Sequence, residues 1–110
     1  MRYLLLISAD EDVAEKAMAA GEFGGFAAWL EDLQRRGVLE AHEGLHPSPT
    51  ATTVRVRGDE VLLTDGPFAE GREQVGGFAL VNCRDLDEAI EIAAGHPATR
   101  FGQVEIRPVR

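Results

Sequence analysis

The chain has 110 residues, 45% of them hydrophobic and 27% charged, the mix of one globular domain rather than of a disordered or fibrous chain. Eleven Lys and Arg against nineteen Asp and Glu leave a net charge of −8. That field repels phosphate backbones and anionic headgroups, which argues against nucleic acid and membrane surfaces as partners.

In chain order, Tyr3-Leu4-Leu5-Leu6-Ile7 is a continuous apolar run that reads as a buried strand. It is too short for a membrane span or a secretory signal, and Asp10, Glu11 and Asp12 follow at once, so a cytoplasmic protein is expected. Residues 11–20 are alanine-rich and predict a short helix, interrupted by Gly21, Gly24 and Gly25. Phe26, Trp29, Leu30 and Leu33 fall on one face of a second helix. Arg35 and Arg36 suit the negative end of its dipole, and Gly37 suits its C′ position.

Val38 to Glu40 begins a second strand, broken by Pro47 and Pro49. His42 and His46 are four apart, the spacing of a metal pair on a helix. Gly44 and Pro47 argue against a helix there, and no third ligand stands at zinc-site spacing, so no metal and no cofactor is expected. Thr53-Val54-Arg55-Val56-Arg57 alternates as a half-buried strand does; Gly58-Asp59 is a hairpin signal, and Val61-Leu62-Leu63 returns.

The segment "TDGPFAEGREQVGG", residues 64–77, is too long and too polar for a plain hairpin turn. Asp65 is read in two ways. It is either a turn staple that accepts backbone N–H bonds or, beside Glu70, Arg72 and Glu73, part of a polar pocket. In the second reading Asp65 and His42 are the acid–base candidates. Arg55, Glu70, Arg72 and Glu73 are then the ligand-binding candidates, with Arg72 as an anion clamp. Gly66 precedes a proline and is pushed to an extended or special conformation, and Phe68 is expected to anchor the loop in the core. The glycines match no phosphate-loop pattern; Gly76-Gly77 marks a bulge or a close backbone approach.

Phe78-Ala79-Leu80-Val81 is another strand, and its end carries the lone cysteine, Cys83, which reads as a packed thiol and forbids an internal disulfide. Asp85 and Glu88 resemble a capping box for a helix whose apolar face is Leu86, Ala89, Ile90 and Ala93 and whose end is set by Gly95 and Pro97. His96 is expected to place an imidazolium on that helix's dipole. Val104, Ile106 and Val109 form a last strand, with Glu105 and Arg107 opposite. Ser8 and Ser48 lie in no nucleophile-elbow context.

The order is strand, helix, two or three strands, helix, strand. It predicts an α+β, ferredoxin-like single domain over residues 1–110, an antiparallel sheet with two helices on one face. The other face is left open, so a homodimer that stacks two sheets is expected.

"ATTVRVRGDEVLLTDGPFAEGREQVGGFALV", followed by "DLDEAIEIAA" and "GQVEIRPV", resembles the YCII-related proteins of the DGPF type over nearly the whole chain. The resemblance implies a bacterial protein dimerising through its sheets into an α+β barrel. Some members of the wider group resemble enzymes using a His–Asp pair, one lineage acting on chlorinated hydroxyquinone-type compounds. Those two positions fall near Phe26 and at His96 here, so this chain lacks both partners. Many DGPF-type proteins resemble companions of extracytoplasmic-function sigma factors. Two functions follow: a dimer with a small-molecule or catalytic pocket at the 64–77 loop, or a regulatory module that associates with a sigma factor.

Overall fold

The computed structural model describes residues 1–68 and 71–110. The apolar start becomes β1 (Arg2–Asp10), which leads directly into α1 (Glu11–Ala19). The Asp10 side chain caps α1 by accepting from the Asp12 and Val13 N–H groups at 3.0 and 3.2 Å. The glycine-rich break follows, then α2 (Phe26–Arg35), whose end is closed by Gly37 at φ +70°. Next come β2 (Leu39–Gly44), a single 3₁₀ turn (Ser48–Thr50), and the hairpin of β3 (Thr52–Arg57) and β4 (Glu60–Asp65). The chain ends with β5 (Glu73–Asn82), α3 (Leu86–Ala94), a 3₁₀ turn (Pro97–Arg100) and β6 (Gln103–Pro108).

β2, β5, β1 and β6 form one antiparallel sheet in that order. Counting only these four strands, the first and third are central, which is the ferredoxin-like arrangement. Among the described residues three helices accompany it rather than two, because the alanine-rich segment folds as well. Tyr3, Leu5, Ala79 and Val81 point to one sheet face, where Trp29 and Leu33 of α2 and Ala89 and Ile92 of α3 bury them. The Trp29 indole N–H donates to the Ile92 carbonyl at 2.8 Å, fixing α2 against α3 without an unpaired polar atom. On the surface Arg36 spans the same two helices, reaching Asp32, Glu88 and Glu91. The opposite sheet face carries Leu4 and Leu6 beside Leu80 and Phe78, all half-buried in the single chain.

Gly76 and Gly77 lie inside β5, not before it. The β1–β5 register passes from Ile7↔Gly77 to Ser8↔Val75, so Gly76 is the extra residue of a bulge. A Cβ on Gly77 would stand 3.0 Å from the Glu43 carbonyl oxygen. Both meanings of the glycine pair therefore apply here, one to each residue. The Asp85 cap is as expected, accepting from the Glu88 N–H at 3.0 Å. The Glu88 carboxylate returns to the Arg84 N–H rather than to that of Asp85. Cys83 is buried, and burial pushes its thiol pKa up, in keeping with a packed thiol.

Two expectations fail at the hairpin. β3 and β4 do not join the main sheet, and the strand read as half-buried is exposed. Val54, Val56, Val61 and Leu63 share one side and are 59, 57, 64 and 67% exposed. Phe68 is not a core anchor: it is 79% exposed, because the hairpin carries it away from the helices.

Candidate functional site

The bulge at Gly76 and the proline-rich exit from β2 open a cleft at one end of the sheet. Its floor is the end of β1, Ile7, Ser8 and Ala9, and one wall is α1, with Glu11, Asp12, Ala14, Glu15 and Met18. Leu45, His46, Pro47 and Pro49 form the opposite wall, and Phe23, Ala98 and Phe101 close the far end. Gln74 and Gly76 complete the rim from β5. The cavity measures about 630 Å³, is largely apolar and lies open on one side.

Two local bonds hold this shape. Leu45 N–H donates to the Gly76 carbonyl at 2.9 Å, keeping the β2 exit against the bulge. Glu11 accepts from the Ser48 N–H at 2.7 Å and from the Ser48 hydroxyl, tying α1 to the wall across the cleft. A two-pronged carboxylate bond of this kind fixes the width of the cleft.

Behind the far end, His96 is 3% exposed and ringed by Phe23, Phe26 and Trp29, with ring centroids 5.8, 5.5 and 4.8 Å away, all edge-on. Its Nδ1 accepts from the Ala98 N–H at 3.0 Å, capping the 3₁₀ turn, which leaves the ring proton on Nε2. Burial lowers its pKa from 6.5 to about 4. The expectation of an imidazolium on the α3 dipole is therefore overturned: His96 is neutral and caps the next turn. Phe26 and His96 do meet in space, but as an aromatic edge contact rather than an acid–base pair.

The sequence-predicted site residues are scattered. Asp65 is exposed at the end of β4, and its side chain makes no hydrogen bond among the described residues. The corner is held instead by the Gly66 N–H donating to Ala51 at 2.7 Å and the Thr53 hydroxyl donating to Gly66 at 2.9 Å. Gly66 sits at φ +105°, so of the extended and special conformations expected before Pro67 the chain takes the special one. Arg55 lies on the other side of the hairpin, exposed. Arg72 and Glu73 are exposed at the start of β5, with Glu73 opposite Asp10, close to the cleft rim but not lining it. His42 is half-buried on the helix side of β2 with its ring edge-on to Phe26 at 6.4 Å. Glu70 lies outside the described residues. Among its described residues, the segment 64–77 thus reaches the cleft only through Gln74 and Gly76. Among the described residues no group of three or more His, Cys, Asp or Glu stands together to hold a metal ion, and no helix is long and apolar enough to cross a membrane.

Sequence reasoning missed Glu11, Ser48, Phe23 and Phe101 and considered His46 only as a metal ligand. Ser48 carried a signal, as the first residue of a Ser-Pro turn able to meet a helix start, but Phe23 and Phe101 are brought together by the fold alone.

The whole chain, residues 1–110, matches the model of the YCII-related domain. A protein of Rhizobium meliloti (strain 1021), described as uncharacterized, is 36% identical over 117 residues, covering 99% of this chain and 92% of that protein. Among solved structures, 5-chloro-2-hydroxyhydroquinone dehydrochlorinase from Burkholderia phenoliruptrix AC1100, in complex with 2,5-dihydroxybenzoquinone, superposes with a TM-score of 0.53. The match has 15% identity and covers 100% of this chain and 94% of that one, a likeness of fold. The chain belongs to the YCII-related domain family.

Proposed function

We propose that this chain is a small-molecule-binding protein of the DGPF branch of its family, working as a homodimer, with the α1–β1 cleft as its ligand site. The observation that carries this reading is the cleft itself: about 630 Å³, apolar, with a few convergent polar groups, the size and character of ligand sites generally. A flat ring compound fits the lining of Phe23, Phe101, Ile7 and Leu45. A fold neighbour that holds a small ring compound supports the same ligand size. His46 brings an imidazole to the lining. The D-G-P-F sequence of Asp65–Phe68 supports the branch.

The dimer rests on the hairpin. Val54, Val56, Val61 and Leu63 make an apolar side that a single chain leaves in water. Asp65 follows Val61 and Leu63 on that side, so it enters this reading as a residue of the dimer contact; Arg55 lies on the other side. A thermal-shift screen with phenols, quinones and arylalkylamines tests the ligand site. Compounds that stabilise the wild type are expected to leave Ala14→Trp, which fills the cleft, unchanged and to stabilise Asp65→Ala fully. The reverse pattern would contradict the assignment.

A further inference from the structure

We propose that the cleft selects hydrophobic cations: a primary or substituted ammonium carried on an aromatic or branched alkyl body. The inference rests on the assignment of the cleft as the ligand site and names its ligand class. Three carboxylates of α1, Glu11, Asp12 and Glu15, line one wall, and among the described residues no Lys or Arg lines the cavity. The Glu11 oxygens are taken up by the Ser48 N–H and hydroxyl. Asp12 and Glu15 carry no ion pair among the described residues; Lys16 of the same helix stands beside them but does not line the cleft. The remaining lining is apolar, and it includes the rings of Phe23 and Phe101, 6.1 Å apart and tilted by 44°. Ring faces beside carboxylates favour an ammonium twice over, through the quadrupole and through Coulomb attraction. The same wall repels a carboxylate or a phenolate, and the net charge of −8 adds to that repulsion at longer range.

Three matched probes separate charge from shape: phenethylamine, phenethyl alcohol and hydrocinnamate, titrated calorimetrically into the wild type and into Asp12→Asn/Glu15→Gln. The amine is expected to bind about five-fold tighter than the alcohol, and the acid weakest, as for a modestly exposed charge pair. The double variant should remove the gap between amine and alcohol while leaving the affinity for the alcohol unchanged. Raising the salt concentration should weaken only the amine in the wild type, a control that needs no variant to fold. Equal affinity for amine and alcohol, or tightest binding of the acid, would overturn the charge preference and leave the cleft assignment standing. Absence of binding by all three would overturn both.

Discussion

His96 shows at the scale of one residue how position outweighs type. Its place before Pro97 at a helix end points to a surface cation. The fold instead turns the ring inward, among Phe23, Phe26 and Trp29, three aromatics whose convergence no local pattern announces. The consequence is measurable. A histidine held at about 4 in the folded chain, against 6.5 in an open one, is bound as the neutral base. Below 6.5 the unfolded chain takes up a proton that the folded chain refuses, so stability present above 6.5 is lost as pH falls toward 4. That loss amounts to at most about 3 kcal/mol. His96→Asn keeps an acceptor for the Ala98 N–H but does not titrate. Urea unfolding at pH 7 and pH 5 should show the wild type losing more stability than the variant between the two. Parallel losses would contradict the burial argument.

At the scale of elements, most of the fold was legible because its signals are local. The apolar run of β1, the i, i+3, i+4, i+7 face of α2, the Asp85 cap and the Gly37 stop each depend on neighbours in sequence. The β3–β4 hairpin marks the limit. Alternation located its strands and its Gly58-Asp59 turn, but alternation reports only that one side is apolar, not what covers it. Among the described residues of one chain nothing does. Burying four Val and Leu side chains is worth about 1 kcal/mol or more each, a gain set against the entropy cost of association in the proposed dimer. Light scattering of the wild type at micromolar concentration should give twice the 11.9 kDa chain mass. Val61→Asp/Leu63→Asp should give the monomer with unchanged circular dichroism. A monomeric wild type would contradict the hairpin's proposed role.

For the molecule as a whole, shape and site are properties no segment carries alone. The radius of gyration is 15.7 Å, whereas a compact domain of this length has about 13 Å; the projecting hairpin accounts for the excess. The candidate site follows the same logic. The 64–77 segment drew attention because its charges and glycines are concentrated in sequence. The cleft is assembled from β1, α1, the β2 exit, the β5 bulge and the turn before β6, which only the antiparallel sheet brings together. What the sequence did contribute is Gly76, whose bulge opens the rim. Amide chemical-shift mapping with phenethyl alcohol, whose neutral head leaves the cleft's charge preference aside, tests the site most directly. Saturable shifts are expected to cluster at Ala9, Glu11, Leu45, His46, Gln74 and Gly76 and to vanish in Ala14→Trp. Shifts centred on Thr64 to Phe68, or none that saturate, would contradict it.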